Sequence, residues 1–298
     1  MTVMVTGASG PVGHALIPRL LAKDEVRAVV RRPEAAEPLR AMGAKVAVGR
    51  LEDADALAEV FRRVYTVIHL VGGPNQPDED ELWDANHRSV VRALAAAKEA
   101  GVRRFILVSV PGASPAASDP YLRARGLAEE AVTTSGLDHA VVRSTHLVGA
   151  GCLWFTAIIA GAAASPHLVF GDGRQVIAPL AVEDLAAVLA AADDREGVLA
   201  GTWALEGPDV VSADALMQRL TGGEASRFRH VEGTDANAVL DDLLGLHVSG
   251  DTVANFCASS RADATDAGVA FGIAPTRLDE AIRWTLERVA DAAGRDPG

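Results

Sequence analysis

The first half of the chain alternates short apolar runs with segments whose apolar residues recur every three or four positions. The apolar runs lie at residues 3–5, 26–30, 45–48, 66–71, 105–108 and 139–142, and the helical patterns lie at 14–17, 39–42, 54–64, 79–100 and 120–135. Near-continuous apolar strands separated by helices are typical of a parallel sheet covered on both faces. We therefore predict an α/β fold with a doubly wound parallel sheet, whose ligands bind at the carboxyl ends of its strands.

The second half of the chain has a less regular pattern. It predicts helices at residues 182–192, 212–220 and 276–293, the second of them capped by Ser212, and a strand at 202–205. We expect residues 1–148 to form the sheet domain. Residues 149–298 are expected to form a smaller α/β lobe with segments that return to the first domain.

One long stretch, residues 144–171, contains no Asp, Glu, Lys or Arg. Its length is that of a membrane-spanning helix. However, Gly149, Gly151 and Gly161 interrupt it, Ser165-Pro166 ends it, and it has no basic flank on its C-terminal side. We therefore predict a buried helix or a pocket wall and no membrane span.

The composition is that of an ordinary globular protein, with 49% hydrophobic and 23% charged residues among 298. The net charge of -12 argues against a nucleic-acid partner, because the overall field repels polyanions. Cys152 and Cys257 have no spacing that suggests a disulfide framework or a zinc site, and we assign no metal. The chain enters its first strand directly, so we expect no signal peptide and a cytoplasmic location.

The first strand leads into three evenly spaced glycines, Gly7, Gly10 and Gly13, and then into a helix. In this context glycines allow a tight turn, close approach of a phosphate to the backbone, and close helix–strand packing. An incidental glycine turn is the alternative. We predict a dinucleotide-binding loop whose pyrophosphate contacts come from Gly7, Ala8, Ser9, Gly10, Pro11, Val12 and Gly13.

Several segments together resemble the atypical branch of the short-chain dehydrogenase/reductase superfamily, the NmrA-like NAD(P)-binding proteins. The resemblance covers most of the chain and rests on residues 6–13, 30–33, 100–109, 135–139 with 142–143, 181–186 and 205–208. It implies a Rossmann-type domain, a nicotinamide dinucleotide cofactor, and a substrate lobe formed after the sixth strand. Polyketide ketoreductases are known in this branch.

Arginines at the end of the second strand indicate which dinucleotide binds. An acidic side chain at this place would bind the ribose 2′-hydroxyl, whereas Arg31 and Arg32 suit a 2′-phosphate. We predict NADPH/NADP+, with a solvated surface pair as the alternative. The family usually has Gly-Asp-Leu after the third strand, with the Asp at the adenine, but here Arg50 replaces the Asp before Leu51. We expect Arg50 and Leu51 to contact the cofactor, Arg50 by stacking on the adenine or by adding to the phosphate site. Further contacts are expected from the other strand ends, at Val71, Gly72, Gly73, Ser109, Thr145 and His146.

The resemblance implies a Tyr-x-x-x-Lys pair on the helix after the fifth strand, in which Tyr protonates the developing alkoxide. This chain has Tyr121 and, in place of Lys, Arg125. Arg125 keeps the charge and can bind the cofactor ribose, but it cannot pass on a proton. A packing or surface role for Tyr121 is the alternative.

Two other groups are candidates near the nicotinamide. Ser109 ends the fifth strand, although the superfamily's hydroxyl donor lies slightly later, where this chain has Ser114. His146 follows the sixth strand, where an imidazole can donate a proton or hold the carboxamide, and a structural histidine is the alternative. If Tyr121 and His146 both fail, the substrate itself can supply the proton through a phenol bonded to its ketone.

The uncharged stretch contributes Trp154 and Phe155 to the expected substrate lobe. Such a wall suits an apolar or aromatic carbonyl compound, with an ordinary hydrophobic core as the alternative. We therefore predict an NADPH-dependent reductase of a ketone or quinone that acts as a monomer or homodimer. Its catalytic residues are expected to be Tyr121, His146 and Ser109. Its substrate contacts are expected at Trp154, Phe155 and Ser114. The rival hypothesis is a non-catalytic NmrA-like sensor of NADP(H) redox state. A sugar-nucleotide epimerase is disfavoured by the missing lysine.

Overall fold

Seven parallel strands form the central sheet of the computed structural model, which describes residues 1–52, 54–223, 227–262 and 266–293. With strands numbered along the chain, they are β1 (Thr2–Thr6), β2 (Glu25–Val30), β3 (Lys45–Val48), β4 (Thr66–His69), β5 (Arg104–Ser109), β6 (Asp138–Ser144) and β11 (Ala200–Leu205). Their spatial order is β3-β2-β1-β4-β5-β6-β11. The order reverses beside β1, so the carboxyl ends of β1 and β4 border the crevice in which this fold binds ligands.

Helices cover both faces of this sheet. The helices of the described residues are α1 (Pro11–Leu21), α2 (Ala36–Ala41), α3 (Ala54–Phe61), α4 (Glu79–Trp83), α5 (Ser89–Glu99), α6 (Pro120–Thr133), α7 (Leu153–Ala163), α8 (Val182–Asp194), α9 (Ala213–Thr221), α10 (Gly233–Leu244), α11 (Gly250–Cys257), α12 (Ala267–Phe271) and α13 (Leu278–Ala293). Helices α1, α2 and α8 pack on one face, and α3, α5 and α6 on the other. The predicted doubly wound Rossmann-type fold is confirmed.

The second half adds three two-stranded ladders to the molecule. Strand β7 (Leu147–Val148) pairs with β10 (Leu180–Ala181), β8 (His167–Phe170) with β13 (Phe228–Val231), and β9 (Val176–Ile177) with β12 (Val211–Ser212). These ladders and helices α7, α10, α11 and α13 enclose a second apolar core. Strand β11 instead pairs with β6 in the main sheet, and helix α8 packs on that sheet.

The uncharged stretch forms helix α7, which is 11 residues long and buries Trp154, Phe155, Ala157 and Ile158. The predicted buried helix is confirmed. In the described ranges, no helix combines the length and the apolar character that crossing a membrane requires.

Three predicted elements differ in detail from the structure. Strand β4 ends at His69 and not at residue 71, because the chain then leaves the sheet and forms a cavity wall. The helix predicted at 79–100 contains a wider turn at Asp84–Arg88. Helix α13 begins at Leu278, whose backbone N–H donates to the Asp209 carboxylate at 2.8 Å.

Candidate cofactor and substrate site

The glycine loop between β1 and α1 is sterically restricted to glycine at two positions. Gly7 has a φ of +72°, and a Cβ atom there would lie 2.8 Å from the Leu70 carbonyl carbon and the Val71 nitrogen. A Cβ atom on Gly13 would lie 2.1 Å from the Ala8 carbonyl oxygen. Gly10 precedes the first helical residue and donates to the Gly7 carbonyl at 3.2 Å. The loop therefore presents bare backbone at a helix N-terminus, which fits a pyrophosphate.

Buried hydrogen bonds link the end of β1, just before this loop, to the end of β4 and to the start of α5. Thr6 Oγ1 lies 2.9 Å from His69 Nδ1, and His69 Nε2 lies 3.3 Å from Ser89 Oγ. Burial lowers the pKa of His69 to about 3, so the imidazole is neutral at physiological pH. His69 is therefore a neutral, fully buried residue of the core.

A cavity of about 260 Å³ lies on one side of the loop, at the ends of β1, β2 and β3. Gly7, Ser9, Gly10, Arg31 and Leu51 line it. The other two predicted arginines lie outside its lining. Arg32 is 76% exposed and lies 3.5 Å from Glu34, while Arg50 is 67% exposed and lies 3.2 Å from Glu52.

The segment after β4 separates this cavity from a second one, because Val71 and Gly72 line both. Asn86 fixes the segment. Its Oδ1 accepts from the Gly73 N–H at 2.8 Å, and its Nδ2 donates to the Gly73 and Leu82 carbonyls, both at 2.9 Å. Sequence analysis missed Asn86, since a single asparagine inside a helical pattern gives little signal of such a contact.

The second cavity has a volume of about 410 Å³ and lies over the ends of β4, β5 and β6. It brings together most of the predicted catalytic and nicotinamide-side residues: Pro11, Val12, Val71, Gly72, Gly73, Ser109, Tyr121, Arg125, Thr145, His146 and Trp154. Two predicted substrate contacts lie elsewhere. Phe155 packs in the lobe core, and the Ser114 hydroxyl accepts from the Ala116 N–H at 3.2 Å.

Helix α11 and the residues after it supply a wall that sequence analysis missed. Asn255, Phe256, Ser259 and Ser260 line the cavity. They are more than 100 residues from the other lining segments in the printed sequence, and no local motif marks them. Only tertiary packing brings them to the site.

Tyr121 and Arg125 lie one turn apart on α6 and are 5% and 4% exposed. Burial raises the pKa of Tyr121, and the nearby Arg125 charge opposes that rise. Arg125 donates from Nη1 to the Val71 carbonyl at 3.4 Å. The phenol is therefore protonated at neutral pH beside a fixed positive charge.

Three buried polar atoms of cavity residues have no hydrogen-bond partner in the described part of the chain: Ser109 Oγ, Arg125 Nε and His146 Nε2. An unsatisfied buried polar atom costs about 1–3 kcal/mol. Natural proteins seldom leave several of them in one place unless a ligand or water satisfies them. These atoms therefore mark the polar part of the cavity, where water or a polar ligand can complete their hydrogen bonds.

His146 stacks on Trp154, with 4.8 Å between the ring centroids and 15° between the planes. Burial lowers its pKa to about 4, so the ring is neutral at pH 7. The neighbouring Thr145 hydroxyl donates to the Ala178 carbonyl at 2.6 Å. That bond holds the turn after β6 against the second half of the chain.

Comparisons with known proteins agree with this geometry. A family model described as NAD(P)H-binding matches residues 7–151. The chain is 30% identical, over 78% of each sequence, to a (4-alkanoyl-5-oxo-2,5-dihydrofuran-3-yl)methyl phosphate reductase of Streptomyces griseus.

Solved structures share the fold. The triphenylmethane reductase of Citrobacter sp., complexed with NADP(H), superposes with a TM-score of 0.74 at 20% identity and covers 96% of this chain and 100% of its own. MoeE5, in complex with UDP-glucose and NAD, has a TM-score of 0.74 at 22% identity and covers 98% of this chain and 100% of its own.

The matched domain, the glycine loop and the two adjoining cavities identify the cofactor as a nicotinamide dinucleotide, and the similarity to a reductase supports an oxidoreductase. The similarity to the reductase extends well beyond the matched domain, over 237 residues. This chain therefore belongs to the NmrA-like NAD(P)-binding family of atypical short-chain dehydrogenases/reductases.

Proposed function

We propose that the protein is an NADPH-dependent reductase that transfers hydride to a ketone or quinone of an apolar, flat substrate. The observation that carries this proposal is the cluster of unsatisfied polar atoms at Ser109, Arg125 and His146 beside the buried phenol of Tyr121. A carbonyl oxygen that enters the cavity would meet the Ser109 hydroxyl and the Arg125 Nε–H group, two donors that have no partner among the described residues.

Arg31 supports NADPH over NADH. It lines the cavity at the end of β2, and the chain has no acidic residue there before Glu34. The acidic groups that do line this cavity include Glu52 and Asp84, and Arg50 and Arg92 neutralise them. A guanidinium at this place favours a 2′-phosphate by charge-assisted hydrogen bonds.

When bound, the reduced nicotinamide supplies the hydride. The protein's own groups act on the carbonyl oxygen, where negative charge develops. In the proposed mechanism the Ser109 hydroxyl donates a hydrogen bond to this oxygen and Tyr121 transfers its proton to it. Arg125 stabilises the resulting tyrosinate, which regains a proton from solvent. Arg125 holds its charge throughout and moves no proton.

The lining of the second cavity supports an uncharged substrate. Leu147, Leu153, Trp154 and Phe256 are among the apolar side chains that line it. Arg125 is the one charged side chain among the described residues that line it, and its guanidinium already contacts the Val71 carbonyl. A phosphorylated substrate would need further basic groups, so we favour aryl ketones, quinones or aromatic polyketides.

The test is NADPH oxidation by the purified protein with aryl ketones, quinones and polycyclic aromatic ketones, with NADH in parallel. Turnover that prefers NADPH supports the proposal. Arg31→Ala is expected to reduce this preference, and Arg32→Ala, which changes an exposed arginine outside the cavity lining, is the matched control.

A redox sensor is the second candidate, and the exchange of the family's lysine for Arg125 favours it, because arginine cannot relay a proton. Tight and similar binding of NADP+ and NADPH without turnover of any compound would support the sensor and contradict the reductase.

A further inference from the structure

The start of helix α11 is hydrogen-bonded to residues 71–75, the segment after β4 that divides the two cavities and that we call the dividing segment. Asn75 Oδ1 accepts from the Ser249 backbone N–H at 3.0 Å and from the Thr252 hydroxyl at 3.3 Å. The Ser249 hydroxyl in turn donates to the Pro74 carbonyl at 3.0 Å. The first half of the chain therefore holds the beginning of a helix that belongs to the lobe.

The same bonds fix the cavity wall that α11 supplies. Ser249 caps the helix, with its hydroxyl accepting from the Thr252 N–H at 3.3 Å. Thr252 is fully buried, and Asn255 and Phe256, one turn further along, line the second cavity. Because α11 has only eight residues, or about two turns, the position of its first turn determines where these two side chains lie.

The other end of the dividing segment lies against the glycine loop. Val71 and Gly72 line both cavities, and a Cβ atom on Gly7 would lie 2.8 Å from the Val71 nitrogen. Gly72 and Gly73 have φ values of +131° and +142°, so this path of the backbone favours glycine. A dinucleotide that fills the first cavity therefore stabilises the dividing segment in the conformation that Asn75 joins to α11.

We propose that Asn75 is a positioning residue that couples dinucleotide binding to the wall of the substrate cavity. Local opening of α11 breaks the bonds to Asn75 and Pro74 and releases the dividing segment, and the released form binds NADP+ less well. By linkage, bound NADP+ then disfavours the opening of α11. The inference goes beyond the proposed function, because it requires dinucleotide binding and not hydride transfer, and it holds for a reductase and for a sensor.

The experiment measures amide hydrogen exchange by mass spectrometry on the full-length protein, with and without saturating NADP+, in peptides that cover residues 250–257. Asn75→Ala removes both polar groups of the side chain. Asn75→Asp keeps the acceptor for Ser249 and Thr252 and loses only the bond from Nδ2 to the His247 carbonyl, which is 3.4 Å long. It is the conservative variant that should rescue the coupling.

Asn237→Ala is the matched control. Asn237 Nδ2 donates at 2.9 Å to the carbonyl of Val248, the residue before Ser249. It therefore holds the same loop as Asn75, but from within the lobe and without contact to the dividing segment. Loss of this bond should loosen α11 without uncoupling it from the dinucleotide.

We expect NADP+ to slow exchange in α11 of the wild-type protein about fivefold or more, the lower end of the usual coupling between two sites. Asn75→Ala should bind NADP+ and lose this slowing, and Asn75→Asp should retain most of it. Asn237→Ala should exchange faster in both states and keep the slowing. A merely structural role of Asn75 would instead make Asn75→Ala behave like Asn237→Ala.

Equal exchange of α11 with and without NADP+ in the wild type would overturn the inference, whether or not the variants fold. Full slowing in Asn75→Ala would also overturn it, because the coupling would then bypass Asn75. Failure of NADP+ to bind the wild type would contradict both this inference and the proposed function. Binding with slowed exchange, but without turnover of any carbonyl compound, would support the inference and contradict the reductase alone.

Discussion

Asn86 and Gly73 exchange two hydrogen bonds, one from the Gly73 N–H to Asn86 Oδ1 at 2.8 Å and one from Asn86 Nδ2 to the Gly73 carbonyl at 2.9 Å. The Asn86 amide thereby satisfies the backbone N–H and carbonyl of Gly73, in the segment that divides the two cavities. Gly72 is confined in the same way, since a Cβ atom there would lie 2.7 Å from Asn86 Oδ1 and 2.8 Å from Arg125 Nη1. The wall between the cavities is thus fixed by α6 and by the turn at Asp84–Arg88.

We expect Asn86→Ala to weaken NADPH binding about tenfold, because the Gly73 backbone groups lose their partner and the wall loosens. Titration of NADPH fluorescence measures the effect. Asn237→Ala is the control, as Asn237 makes one comparable bond, from Nδ2 to the Val248 carbonyl at 2.9 Å, inside the lobe. Equal effects of the two substitutions would mean that Asn86 has no particular role at the cofactor site.

Gly13→Ala is expected to abolish dinucleotide binding, because its Cβ atom would lie 2.1 Å from the Ala8 carbonyl oxygen and must displace the loop. Gly250→Ala provides the comparison, since a Cβ atom there meets no atom within 4 Å. Calorimetric titration with NADPH distinguishes them. Unchanged affinity in Gly13→Ala would disprove the assignment of this loop to the pyrophosphate.

The pH dependence of reduction follows from Tyr121 and His146. Reduction needs a protonated Tyr121, and burial raises its pKa, so the donor stays competent at neutral and moderately alkaline pH. His146 has a pKa of about 4 and remains neutral over the same range. We expect kcat/KM to be nearly constant from about pH 6 to 9. A rise in activity as pH falls through the usual histidine range would identify protonated His146 as the donor instead.

Arg104 is expected to matter for stability and not for the site. It is 1% exposed, and its guanidinium donates to the carbonyls of Ala192, Asp193, Arg195 and Gly197 at 2.6–3.0 Å. Arg104→Met should lower the free energy of unfolding by about 3 kcal/mol, since it leaves several buried carbonyls unpaired.

The neighbouring Arg103→Met is the control for this measurement. Arg103 is 60% exposed and pairs with Asp138 at the surface, and such pairs contribute about 0–1 kcal/mol. Denaturant unfolding compares the two variants. Similar losses would show that the bonds of Arg104 add little to stability.

Local patterns were sufficient to predict the sheet, the glycine loop and the helix caps. Ser212 caps α9 as predicted, with its hydroxyl accepting from the Ala215 N–H at 3.1 Å, because capping depends on residues only three positions apart. Parallel strands end on one edge, so Ser109 and His146 could be assigned to one site from strand order alone.

The rest depends on long-range packing. Nothing local distinguishes Arg31, which lines a cavity, from Arg32, which extends into solvent. Trp154 and Phe155 are adjacent on α7, and the helical rotation between them puts one at the cavity and the other in the core. Asn255 and His146 line the same cavity, although no sequence motif connects their segments.

The central claim is that this cavity carries out hydride transfer, and the most direct measurement follows the hydride itself. NADPH deuterated at both positions of its hydride-donating carbon is incubated with the protein and the best aryl ketone, whose product keeps the transferred label on carbon, and the product is analysed by mass spectrometry. We predict one deuterium in the product for each NADPH oxidised with wild-type protein, and a rate reduced about 100-fold in Tyr121→Phe. Binding of NADPH without deuterium transfer to any compound, or full activity in Tyr121→Phe, would contradict the account.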